Sequence, residues 1–298
     1  MPELHALPLK RAHVGDGIEL AYRTLGSTGS PPLLLLHGHP QTHLIWHKLA
    51  APLAQQFHLV MPDLRGYGRS SKPPGASDHS NYSKRSMAQD LVTLMLELRH
   101  ASFAVCAHDR GGRVAHRMAL DHAQAVTKLM VLDIAPTLAM YEQTTESFAR
   151  AYWHWFFLIQ PAPLPETLLS ANPELYCHTV MGGRHAGMAP FSAEALADYI
   201  DCLSGYDAAH AVCEDYRAAA TIDLEHDRAS RAANQLLEIP FRVLWGKLGV
   251  VERCFKPIEE WRKVAHNPAL VNGAALDCGH YIPEEAPDAL LAEIQAFF

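Results

Sequence analysis

The sequence predicts an α/β fold: a mainly parallel sheet flanked by helices, with an inserted helical cap. Three observations predict it. Short, continuous apolar runs recur along the chain, the pattern of strands buried on both faces. Helix-like stretches separate them, and strands alternating with helices build parallel sheets. The alternation stops after Leu132 and resumes at Phe241, with only helical patterning between.

Gly17 to Leu25 alternates as a half-buried strand does. Leu33 to Leu36 is unbroken leucine, and Phe57 to Met61, Phe103 to Ala107, Lys128 to Leu132, Phe241 to Trp245 and Leu270 to Ala275 repeat that strand-like apolar character. Helices are expected between them over Ile45 to Gln55, Ser86 to Leu98, Arg113 to His122, Pro257 to Val264 and Pro287 to Phe297. Within the interruption the helical stretches are Tyr141 to Gln160, Glu166 to Val180, Ala193 to Cys202 and Ala208 to Thr221. Residues 1–137 and 225–298 are therefore assigned to the sheet-bearing core and 138–224 to the cap. In parallel sheets reactive groups gather at the carboxyl ends of the strands, beneath such an insertion.

Composition narrows the function classes. At 298 residues, of which 49% are hydrophobic, the chain can bury a large core. A net charge of −7 with no basic block argues against a nucleic-acid surface. An anionic substrate must then be captured by local charge. The six cysteines are scattered, with no C-x-x-C pair, and read as reduced thiols. Met1 to Val14 lacks an apolar signal core, and no run approaches the roughly 18 to 20 apolar residues of a membrane span. A soluble, cytoplasmic protein is expected, with no cofactor and no membrane partner; a homodimer is compatible with the sequence.

The stretch His108-Asp109-Arg110-Gly111-Gly112 carries the chemistry. It joins an apolar strand to a helix, with glycines beside a protruding residue, as a nucleophile elbow does. That residue is Asp109. An aspartate could simply cap the helix, but the buried strand before it and the glycines after it favour a nucleophile. A carboxylate at such a turn attacks saturated carbon and forms an alkyl ester on itself, which water must then hydrolyse. Arg110 and Arg113, three apart, share a helix face and suit a substrate carboxylate, although surface arginines are usually ordinary ion-pair residues. His280 follows Gly279 late in the chain, in the nucleophile–acid–histidine order, and is the candidate general base. Its partner acid is Asp133, directly after a strand, in preference to Glu252, because a short side chain near the strand end suits the geometry. Backbone N–H groups of His39 and Arg110 are the candidate oxyanion donors. His37, His39, His43 and His47 invite a zinc reading, which the lack of a carboxylate or cysteine in zinc-like spacing disfavours; no metal is expected.

Together with His37-Gly38-His39-Pro40-Gln41-Thr42-His43, Asp63-Leu64-Arg65-Gly66-Tyr67-Gly68-Arg69-Ser70, Tyr152-Trp153-His154-Trp155, Glu214-Asp215-Tyr216-Arg217 and Gly279-His280, these motifs resemble the fluoroacetate (haloacetate) dehalogenases of the α/β-hydrolase superfamily. Where that family usually carries phenylalanine this chain has His39, so the wall beside the oxyanion loop is expected to be polar. The resemblance implies an α/β-hydrolase fold with a small 2-haloacid as partner. It also implies that His154, Trp155 and Tyr216 hold the departing halide. Without it, Tyr152-Trp153-His154-Trp155-Phe156-Phe157 would read as a buried amphipathic cap helix. An epoxide hydrolase, which opens its ring with acidic cap tyrosines, is the nearest rival, and Arg110 counts against it. A catalytically silent receptor is the rival from another class, and the Asp109, Asp133 and His280 set counts against that.

Overall fold

The computed structural model describes residues 3–298. Eight strands form one sheet: β1 (Lys10–Gly15), β2 (Ile18–Leu25), β3 (Pro32–Leu36), β4 (His58–Pro62), β5 (Phe103–His108), β6 (Val126–Leu132), β7 (Phe241–Gly246) and β8 (Val271–Leu276). Their order is β1-β2-β4-β3-β5-β6-β7-β8. From β4 to β8 every neighbouring pair is parallel, while β1 and β2 pair antiparallel at one edge. Leu33 to Leu36 have no exposed surface, because crossover helices cover both faces of the central strands.

The expected strands lie within a residue or two of the observed ones, but β1 was not anticipated. It is a short edge strand in which only Ala12 and Val14 turn inward, too few to register as alternation. The helix expected over Ile45 to Gln55 is instead a 3₁₀ turn, His43–Trp46, and a short helix, Ala50–Leu53. The helix expected from Arg113 begins at Asp109, the last residue before it, His108, still being extended.

Between β6 and β7 the chain is helical, from Thr137–Glu142 to Ile222–Ala232. Tyr141 to Gln160 is divided into Thr137–Glu142, Glu146–Ala151 and Trp153–Leu158. The Thr145 side chain causes one break by accepting from the Phe148 N–H, an N-cap that starts a new helix. Asn172 and Pro173 divide the next expected helix into Leu164–Ala171 and Pro173–Gly182. The boundary drawn at 224/225 falls inside the helix Ile222–Ala232. Among the described residues no helix is long and apolar enough to cross a membrane, and all six cysteines are unpaired.

Candidate active site

The geometry is built around Asp109, at the turn from β5 into the helix Asp109–Asp121. Its φ of +45° is rare for a residue with a Cβ, and such strain persists only where the surroundings enforce it. They do so through glycine. A Cβ on Gly111 would fall 2.4 Å from the His37 carbonyl, and one on Gly38 would fall 2.4 Å from the Asp109 Cβ. The Gly111 N–H instead donates to the His37 carbonyl at 2.9 Å, pinning the elbow against the loop after β3. That loop presents the His39 N–H to Asp109 Oδ1 at 3.0 Å.

Asp133 follows β6, also with positive φ. Its Oδ2 lies 2.6 Å from His280 Nδ1, and its Oδ1 accepts from the Gly246 N–H at 2.9 Å. Glu252, the other candidate acid, accepts the indole N–H of Trp245 instead. The loop after β8 therefore carries His280 between Asp133 and the elbow. The peptide is anchored by His108, whose Nε2 lies 2.9 Å from the His280 carbonyl. Burial, and then the neighbouring His280 ring, push His108 down to about 3, so it is neutral and donates. Burial alone would raise the Asp109 carboxyl, but the positive surroundings, His280 and the arginines Arg113 and Arg110, outweigh it and hold the group well below the usual carboxylate range. Asp109 is therefore an ionised acceptor.

Arg110 and Arg113 are both buried beside it, yet neither guanidinium is free as a fork. Arg110 donates from Nε to Asp215 Oδ2 at 2.7 Å and from Nη2 to the Asp215 carbonyl at 2.9 Å. Arg113 donates from Nη1 to Thr137 Oγ1 at 3.0 Å, and its Nη2 faces the Met140 sulfur. What remains unpartnered among the described residues is Nη1 of Arg110 and Nε of Arg113. Each arginine therefore offers one open nitrogen rather than a free fork.

The helical segment supplies the roof. The Arg110 Cζ sits 4.1 Å from the Tyr216 ring centroid, and the Arg113 Cζ 4.7 Å from the Trp155 ring. The rings of His154 and Tyr216 are 6.0 Å apart, and Tyr152 lies 6.2 Å from His280. Among the described residues the indole N–H of Trp155 and the hydroxyls of Tyr216 and Tyr152 have no partner, although all three residues are fully buried. Native proteins rarely strand buried donors, so a cluster of them facing two cations and the Asp109 carboxylate marks a place where a ligand completes the bonding. Burial, then the nearby Arg184, hold His154 well below its ordinary pKa, which leaves a neutral imidazole.

His39 is buried in this roof, with its Nε2 2.8 Å from the Tyr176 hydroxyl and its ring stacked 6.1 Å from that of His154. Desolvation, opposed chiefly by Asp109, lowers it to about 3, so the polar wall carries no charge. The four loop histidines are each committed to other partners. His37 accepts from the Leu64 N–H, His43 meets Asp63 at 2.8 Å, and His47 meets the Leu44 carbonyl.

Sequence reasoning gave no role to Asp215, the counter-charge of Arg110, which Lys84 and Tyr67 also contact. The signal available was that an arginine directly after a buried strand, at the elbow, requires an anion. It also gave none to Tyr152, Tyr176 and Arg184.

The α/β-hydrolase fold model matches residues 31–180. A fluoroacetate dehalogenase of Burkholderia sp. is 43% identical over 265 residues, 89% of this chain and 85% of that protein. A soluble epoxide hydrolase of Corynebacterium sp. (strain C12) is 32% identical over 292 residues, 95% of this chain and 94% of that one. Among solved structures, ALR0039 of Nostoc sp. PCC 7120, described as an α/β hydrolase, superposes with a TM-score of 0.92 at 48% identity, covering 98% of each chain. The chain belongs to the α/β-hydrolase family. Within it, its similarity extends to both a dehalogenase and epoxide hydrolases.

Proposed function

We propose that the protein is a haloacid dehalogenase converting fluoroacetate or chloroacetate to glycolate and halide. The observation that carries this reading is the pairing of two buried arginines, each with an open nitrogen, with stranded donors on Trp155 and Tyr216 around an ionised Asp109. One set suits a carboxylate and the other a departing halide. The similarity to a fluoroacetate dehalogenase supports it further.

Arg110 and Arg113 hold the substrate carboxylate and so align the adjacent carbon with Asp109. Orientation of this kind contributes several kcal/mol of the ~7–11 available from proximity. Asp109 Oδ2 attacks that carbon while Oδ1 stays on the His39 N–H. The carbon–halogen electron pair leaves as halide toward His154, Trp155 and Tyr216, which replace the water that would otherwise solvate it. His280, oriented by Asp133, then takes a proton from water, and the resulting hydroxide attacks the Asp109 ester carbonyl carbon. The His39 and Arg110 N–H groups hold the oxyanion until the intermediate collapses to glycolate and a regenerated carboxylate. The helices above the sheet act as a cap that excludes bulk water from these steps.

A second reading, epoxide hydrolysis, is favoured by the unpartnered Tyr152 and Tyr216 phenols, which could protonate a ring oxygen. Burial, reinforced by Asp109, raises the pKa of both, making them weaker acids and better suited to donating than to surrendering a proton. A fluoride-electrode and product assay with fluoroacetate, chloroacetate and styrene oxide decides between the two. Halide and glycolate from the acids are expected. Turnover of styrene oxide with no halide release from either acid would overturn the dehalogenase reading.

A further inference from the structure

We propose that Arg184 forms a second anion subsite beside His280, so that the site takes 2-haloacids bearing a further carboxylate as well as simple haloacetates. The inference extends the dehalogenase reading to substrate class. Arg184 lies on the loop after the helix Pro173–Gly182. Its guanidinium stacks on the Tyr152 ring at 4.4 Å, and its one backbone bond is a long one, 3.3 Å from Nη1 to the Ala151 carbonyl. Among the described residues its Nε is buried without a partner. A half-buried cation whose Nε is shut off from solvent, with no carboxylate of its own, is costly, and such groups are normally paired.

The space it faces is the right kind. A cavity of about 280 Å³ is lined by Arg184, His185, Arg253 and His280, with small and apolar residues between them. No aspartate or glutamate lines it, in a chain whose net charge is −7. It reaches from exposed Arg253 and His185 to buried His280. An acid held by Arg110 and Arg113 with its halogen toward Trp155 and Tyr216 keeps two positions on the reacting carbon, one for hydrogen and one for a substituent. A substituent turned toward His280 meets the residue that lines this cavity together with Arg184. A planar fork with an open Nε matches a carboxylate there.

The test compares 2-chlorosuccinate with 2-chlorobutyrate, which has the same carbon count and one charge fewer, in wild type, Arg184→Leu and Arg184→Lys. Wild type is expected to favour the dianion in kcat/KM by at least about tenfold, Arg184→Leu to lose that ratio, and Arg184→Lys to keep part of it, as a charge without a fork would. Titration calorimetry with succinate and butyrate needs no turnover and follows the same ratio in Kd. Equal binding of succinate and butyrate by wild type, or a preference that survives Arg184→Leu, would overturn the subsite. If succinate is preferred but no haloacid is turned over, the subsite stands and the dehalogenase reading fails.

Discussion

Replacing Tyr216 with phenylalanine separates a halide donor from a mere packing residue. The ring stays under Arg110, where the guanidinium sits 4.1 Å from its centroid, so the cation–π contact is kept and only the hydroxyl is removed. That hydroxyl is buried with no partner among the described residues. Stranding such a group costs about 1–3 kcal/mol, so the variant is expected to be more stable than wild type by up to that amount. Each kcal/mol corresponds to a rise in Tm of roughly 2–4 °C for a domain somewhat smaller than this one. The same change removes one donor from the leaving atom, and by analogy with an oxyanion hole that costs about 2.7–4 kcal/mol, or 10²–10³ in rate, on fluoroacetate. Chloride is larger and less strongly hydrated, so chloroacetate should lose less. Single-turnover halide release from the two substrates, read beside a thermal melt, gives all three quantities. Equal losses on both acids, or a lowered Tm, would refute the argument.

Exchange of His280 for Asn should stall the reaction at the ester, and intact mass after fluoroacetate should rise by one carboxymethyl group on Asp109; an unshifted mass removes Asp109 from its role. Arg113→Lys should raise KM by about tenfold or more, because an ammonium cannot both face Thr137 and offer the open nitrogen; unchanged kinetics would sink the clamp. Glu284, buried beside Gln41 and Tyr199, has its carboxyl raised by desolvation, against Lys48, to about 8 from an ordinary 4.5. The folded state keeps this proton when the unfolded chain has released it, so the associated stability is complete below about 4.5 and is lost as pH rises to about 8. Thermal midpoints of wild type should fall across that window and those of Glu284→Gln should fall less; parallel curves would contradict the burial argument.

Much of this was legible because sheet strands and the elbow announce themselves locally. Leu33 to Leu36 can only be a doubly covered strand, and a glycine pair after Asp109 can only relieve a crowded turn. The choice of Asp133 over Glu252 also followed from one local fact, the acid's place at a strand end. Asp215 was a different matter. It lies 105 residues from Arg110, and nothing in Glu214 to Arg217 says which cation it meets. The breaks in the helical segment come from single capping side chains, Thr145 and Asn172, whose effect competes with strong helical patterning on either side. Partner commitments of the arginines depend on tertiary packing, so sequence could propose the two cations but not the single open nitrogen on each.

Asp215 also ties the two halves of the protein together. It projects from the helix Tyr206–Ala220, yet its bonds are to Lys84, Tyr67 and Arg110 on the sheet side. Swinging the roof away would strip two cations of their shared anion in a poorly solvated gap, and breaking a buried pair costs about 3–5 kcal/mol. The roof therefore behaves as a keystone rather than a hinged door. Reactants and products should come and go through a side passage, by rearrangement of single side chains, while the vault overhead stays shut.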